Sequence, residues 1–111
     1  MAKHCYVVYS APVPGREDEY NRWYNDQHIP DVLRVPGFTA AQRFRLDAED
    51  ATEGARYLAL YEMETDDPSA TLIDLQALAG TPLMVMSDAM NMGAVSASVF
   101  SAITERFVAK A

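Results

Sequence analysis

Histidine is the side chain whose ordinary pKa lies closest to neutrality, and this chain has two, His4 and His28. His28 stands in the run Glu19-Tyr20-Asn21-Arg22-Trp23-Tyr24-Asn25-Asp26-Gln27-His28-Ile29-Pro30-Asp31, at the end of an amphipathic stretch and just before a carboxylate. An imidazole there can take or give a proton at physiological pH, and Asp31 can orient it by accepting its second N–H. The chemistry is general acid/base catalysis, with His28 and Asp31 as the catalytic pair. The other use of His28 is to cap the last helical turn through free carbonyls, and Asp31 can equally cap the bend that follows. A helix C-terminus and a nearby carboxylate favour the imidazolium while burial opposes it, so sequence alone does not sign the shift.

Further side chains can bind a substrate beside that pair. Arg43 and Arg45 share a strand face, where a fixed guanidinium can hold a carboxylate or stabilise an enolate oxygen; the alternative is a solvated pair with an acid such as Glu62. Tyr6, Tyr57 and Tyr61 can stack on or hydrogen-bond to a phenolic ring, or simply fill the core, as six tyrosines in a small protein do. Trp23 lies on the His28 face of its helix and is read both as core and, with Tyr6, Arg43 and Tyr61, as a substrate-binding candidate. Met84, Met86, Met90 and Met92 make an adaptable patch suited to packing or to a subunit seam. No G-x-S-x-G elbow presents a serine, no glycine-rich loop follows a strand to cradle phosphates, and no histidine-carboxylate set converges on a metal. The expectation is an enzyme with no cofactor and no metal.

These residues must be positioned by a small frame. The chain has 111 residues, half of them hydrophobic, with 16 acidic against 9 basic side chains and a formal charge of −7. Residues 1–111 read as one domain, burying roughly two-thirds of the surface of the unfolded chain. So small a core leaves little room for a private cavity, which points to a homodimer in which two sheets share an interior. The negative charge repels phosphate backbones and anionic lipid surfaces, so neither nucleic acid nor membrane is an expected partner. No apolar run approaches the about 20 residues that cross a bilayer, and no basic, then apolar, leader opens the chain; a cytoplasmic protein is expected. Cys5 is the only cysteine, which rules out an internal disulfide, and inside a strand it reads as a small buried hydrophobe.

Periodicity supplies the elements. Residues His4 to Ser10 read as a strand ended by Pro12, Pro14 and Gly15. A helix follows from near Arg16, with Tyr20, Trp23, Tyr24 and His28 inward, and Pro30 is expected to stop it at Ile29. Phe38 to Leu46 alternate as a second strand, with Phe38, Ala40, Gln42, Phe44 and Leu46 on one face and Thr39, Ala41, Arg43 and Arg45 on the other. Asp47 to Gly54 form a loop, and Arg56 to Glu64 a third strand paired to the second as an antiparallel hairpin. Asp67-Pro68 open a helix that runs to Gly80, and Thr81-Pro82 open a short third helix to about Met90. Val95 to Phe107 form a long last strand. The order β-α-β-β-α-β is that of the α+β ferredoxin-like plait, a four-stranded antiparallel sheet with helices on one face.

Tyr20-x-x-Trp23-Tyr24-x-x-x-His28-Ile29-Pro30-Asp31, followed by Val35-Pro36-Gly37-Phe38 opening a strand, resembles the dimeric α+β barrel superfamily and, within it, the EthD-like group. The resemblance implies a homodimer with a pocket between the first helix, the sheet and the late segment. It also maps the histidine at the end of the family's first helix onto His28. Relatives include isomerases, cyclases, dehydratases, cofactor-free monooxygenases and haem proteins, so fold analogy does not choose the reaction. Histidine is absent from the second half of the chain, which argues against the haem branch.

The sequence reading is therefore a cofactor-free enzyme in which His28 abstracts or returns a proton on a small, oxygenated ring substrate. Isomerisation, elimination or cyclisation of a catabolic or secondary metabolite would follow. Its alternatives are a cofactor-independent monooxygenase and a non-catalytic ligand-binding accessory protein of a degradation pathway.

Overall fold

The computed structural model describes residues 2–47 and 56–110, so the expected loop from Asp47 to Gly54 lies, but for its first residue, outside the described residues. The chain runs β1 (Lys3–Ser10), α1 (Glu17–Trp23), a π-helical turn (Tyr24–His28), α2 (Ile29–Val32), β2 (Phe38–Arg45), β3 (Tyr57–Glu64), α3 (Pro68–Leu78), a short 3₁₀ turn (Met92–Ala94) and β4 (Ser96–Ser101). The strands form one antiparallel sheet in the order β2-β3-β1-β4. This is the ferredoxin-like α+β plait expected from the element order.

Alternation decides what each face carries. Tyr6, Val8 and Ser10 of β1 pair with Tyr61, Ala59 and Tyr57 of β3, and all point to the helix-covered side. There they join Tyr20, Trp23, Tyr24, Val32, Val35 and Leu75 in one core. α3 starts as its Asp67-Pro68 signal requires, with the Asp67 carboxylate accepting from the Ala70 N–H at 3.1 Å.

Five expectations need correction. β2 is bulged: Phe38 pairs with Met63 and Ala40 with the adjacent Glu62, so Thr39 is an extra residue whose hydroxyl donates to the Glu62 carbonyl at 3.3 Å. Beyond the bulge the faces exchange. Ala41, Arg43 and Arg45 share the covered side with Phe38, while Gln42 and Phe44 turn to the open side. The pairing of Arg43 with Glu62 is thereby ruled out, since the two residues occupy opposite faces.

Pro30 does not stop the helix. The Ile29 N–H reaches back five residues to the Tyr24 carbonyl, and Ile29 keeps helical angles of −60° and −48°. The widened turn accommodates a ring that lacks an N–H and would otherwise press on the carbonyl of the preceding turn. The helix at Thr81-Pro82 is a single turn, closed by the Met84 N–H to the Thr81 carbonyl at 3.0 Å. The following backbone bonds elsewhere: the Val85 carbonyl accepts from the Trp23 indole, Ala89 from Val13, and Asn91 donates to Ala11. The last strand ends at Ser101, because β1 begins at Lys3 and offers nothing to pair with beyond the Ala102 to Lys3 bond. Ile103 and Phe107 are left 94% and 88% exposed. Cys5 is half-buried on the open face rather than buried. No helix among the described residues is long and apolar enough to cross a membrane.

Candidate functional site

The site is assembled from α1, the π-helical turn and the covered face of β2 and β3. Glu17, Asp18 and Glu19 fill the first turn of α1, where carboxylates meet the positive end of the helix dipole. Tyr20, Trp23 and Tyr24 then fall inward at helical spacing. The π-helical turn carries His28 onto the same side: its ring stacks on Trp23 with centroids 4.7 Å apart and planes 22° apart, and meets Tyr24 edge-on at 5.2 Å. Trp23 is itself held by its indole N–H, which donates to the Val85 carbonyl at 3.0 Å.

His28 Nδ1 is buried and has no hydrogen-bond partner. Burial lowers the pKa of the ring to about 4, so the imidazole is neutral at physiological pH. The sign that sequence left open is thus set by desolvation. Asp31 does not orient this ring. It is buried in the turn that continues past Pro30 and forms its ion pair with Arg34 one turn further on.

Tyr6 is half-buried against Phe38 and Tyr61, with centroids 6.4 and 5.9 Å apart. Tyr61 is fully buried and its hydroxyl lacks a partner; desolvation first, and the adjacent Tyr24 second, push its pKa well above the ordinary phenol range. Arg43 lies over the rings of Tyr24, Tyr57 and Tyr20 at 4.3, 5.3 and 5.4 Å. Its Nη1 donates to Asn25 Oδ1 at 2.7 Å and its Nη2 to Asn21 Oδ1 at 2.8 Å. Arg45 is exposed on the same face. Tyr57 accepts from Asn21 at 3.4 Å, and Tyr20 shares a 2.5 Å hydrogen bond with the Ser10 hydroxyl.

His28, Trp23 and Arg43 thus gather around Tyr24, which contacts both the imidazole and the guanidinium, while Tyr6 and Tyr61 form a second aromatic group with Phe38 in the same core. Tyr24 and the two asparagines were not singled out from sequence as site residues. Their signal was present as two parallel rows at helical spacing, Tyr20/Tyr24 and Asn21/Asn25, facing an arginine on the neighbouring strand. Among the described residues no three His, Cys, Asp or Glu side chains gather as a metal site.

The α+β plait that positions these residues is a fold shared with two solved structures. A crystal structure described as a "putative monooxygenase" from Shewanella loihica PV-4 superposes with a TM-score of 0.63 at 15% identity, over 93% of this chain and 96% of that one. An EthD family protein from Bacillus halodurans C-125 superposes with a TM-score of 0.51 at 14% identity, over 93% of this chain and 100% of that one. The EthD-like resemblance therefore holds as a likeness of fold. By sequence, residues 6–75 match the model of a domain of unknown function, DUF4286, and the chain belongs to that family. No curated protein matches it.

Proposed function

We propose that the protein is a cofactor-free enzyme that moves a proton on a small, oxygenated ring substrate, with His28 as the base. The observation that carries this reading is a neutral, buried imidazole whose Nδ1 has no hydrogen-bond partner among the described residues. Burial keeps the ring unprotonated across physiological pH, so it is ready to accept. A resting pKa of about 4 describes a weak base, but proton transfer places the imidazolium beside a substrate anion and on the face of Trp23. Both raise its basicity at the moment of transfer. Tyr6, Trp23 and Tyr61 supply walls for a flat ring, and the resulting anion isomerises, eliminates or cyclises. Asp31 has no part in the step, since Arg34 already engages it.

Native mass spectrometry of the purified protein reads any retained ligand and the subunit number together. The base is tested by deuterium incorporation from D₂O next to the carbonyl of cyclic ketones and at the ring carbons ortho to the hydroxyl of hydroxy-aromatics. His28→Phe keeps the stack and should lower the exchange rate by about 10² or more. The wild-type rate should be flat near neutrality and fall only as pH approaches about 4. A fall centred near the ordinary histidine pKa, or an unchanged rate in the variant, would remove His28 from the chemistry.

A second reading shares the base and draws on the likeness to the Shewanella loihica protein: the substrate anion itself reduces oxygen. Oxygen uptake matching turnover distinguishes it. In either case the open sheet face supports a homodimer, because Tyr9, Phe44, Leu46 and Phe100 remain 46, 47, 51 and 60% exposed.

A further inference from the structure

We infer that Arg43 is the receptor for an ionised substrate oxygen, that of a planar phenolate or enolate, with the Tyr61 hydroxyl as its second donor. The inference rests on the reading of His28 as the base that creates such an anion, and it assigns where the charge then resides.

Arg43 is a partly buried cation that pairs with no carboxylate among the described residues. The four ion pairs among the described residues are Arg16 with Glu19, Arg16 with Asp88, Arg34 with Asp31 and Arg56 with Glu17. The neighbours of Arg43 are three tyrosine rings and two asparagine carbonyls, which hold a guanidinium in place without cancelling its charge. The Nε–H is buried and has no acceptor. A second unanswered group lies close by: Arg43 pairs with Ala59 and Ala41 with Tyr61, so Arg43 and Tyr61 are diagonal neighbours on the covered face, and the Tyr61 hydroxyl is also without a partner. The positive charge is felt there, since Arg43 pulls the Tyr24 and Tyr61 phenols down against the effect of burial. Two buried donors beside a cation that pairs with no described carboxylate suit an anionic oxygen.

The kind of anion follows from which donors are free. Each Nη gives one of its two N–H groups to an asparagine, Nη1 to Asn25 and Nη2 to Asn21, which fixes the plane of the guanidinium. The buried Nε–H and the Tyr61 O–H lie beside aromatic faces, which suits an oxygen on a flat conjugated ring. Arg43 lines an open groove of about 570 Å³ together with Asn21, Asn25, Phe44, Arg45 and Tyr57, and with the carboxylates of Glu17 and Asp18.

The test uses 4-nitrophenol, whose phenolate is yellow and whose neutral form is not. At a pH where the free dye is mostly neutral, wild-type protein should bind it as the phenolate. Arg43→Gln should weaken that binding about tenfold or more, as loss of a charge-assisted hydrogen bond does. Tyr61→Phe keeps the ring, should weaken it several-fold, and decides the matter where Arg43→Gln does not fold. Dye bound in its neutral form, dye not bound at all, or wild-type affinity in a folded variant of either residue overturns the assignment. His28→Phe should still bind the phenolate while losing proton exchange. Arg43-dependent binding in a protein whose His28→Phe variant exchanges at the wild-type rate would refute the base and leave the receptor standing.

Discussion

The same strands make two faces that end in opposite conditions. On the covered face Tyr57, Ala59, Tyr61 and Met63 are buried under the helices, and three polar atoms there or beside it, His28 Nδ1, Arg43 Nε and Tyr61 OH, have no partner. On the open face the unsatisfied groups are apolar: Phe100 and Leu46 are more than half exposed, and the glutamates at 62 and 64 point to the same side as Leu58 and Leu60. Unpaired polar atoms inside a core are disfavoured by folding alone, so they mark where a small ligand can be recognised. Uncovered apolar surface is disfavoured by water, so it marks where another protein surface can sit. The two deficits call for partners of different size.

The largest expected effect separates the faces by stability. Tyr61→Ala removes a fully buried ring and should destabilise the fold by roughly 3–5 kcal/mol in chemical denaturation. Phe100→Ala should change a monomer by no more than about 0.5 kcal/mol. Equal losses at both positions would mean that the open face is covered. Association is read directly by sedimentation: Phe44→Glu together with Phe100→Glu should convert a dimer to monomers without unfolding the subunit, and a wild type that sediments as a monomer at all concentrations would defeat the dimer.

A second effect belongs to the covered face alone. The folded pKa of His28, about 4, lies below its unfolded value, so the unfolded chain binds more protons in between. Stability from this group is fully present above the unfolded value, near 6.5, and is lost as pH falls toward 4. The loss should reach on the order of 3 kcal/mol. His28→Phe should flatten that part of the profile; an acid limb unchanged in the variant would show that the ring is solvated.

Why sequence reached some of this and not the rest is visible in particular residues. The plait was legible because its signals are local and mutually consistent: Asp67-Pro68 starts α3 as such a pair should, and β3 alternates without interruption. The inward histidine was legible from helical spacing. The faces of β2 were not, because one extra residue at Thr39 reverses every later side chain, and no propensity announces a bulge. The proline at 30 misled for a similar reason: its effect depends on whether the helix can widen by one residue, which is a tertiary outcome. Thr81-Pro82 gave a valid start signal for a helix that never continues, since Val85 bonds to the indole of Trp23 and Ala89 and Asn91 bond to Val13 and Ala11 after β1. The missing partner of His28 could not be foreseen either, because Asp31 has a closer claim from Arg34.

The smallest effect compares one hydrogen bond from each face. Trp23 donates its indole N–H to the Val85 carbonyl at 3.0 Å in a largely buried setting, and Thr39 donates its hydroxyl to the Glu62 carbonyl at 3.3 Å in an exposed one. Both acceptors are backbone carbonyls, so the difference lies in whether water can replace the donor. Trp23→Phe keeps a ring against His28 but leaves the Val85 carbonyl short of a partner, and should destabilise by about 1 kcal/mol or somewhat more as ring area is also lost. Thr39→Val keeps the shape and the β-branched fit while water takes over at Glu62, and should stay within about 0.5 kcal/mol. Denaturant midpoints for the two variants, measured side by side, give the contrast; a Thr39→Val loss as large as that of Trp23→Phe would show that the bulge is held by its side chain, and that the two faces differ less in solvent access than their exposures imply.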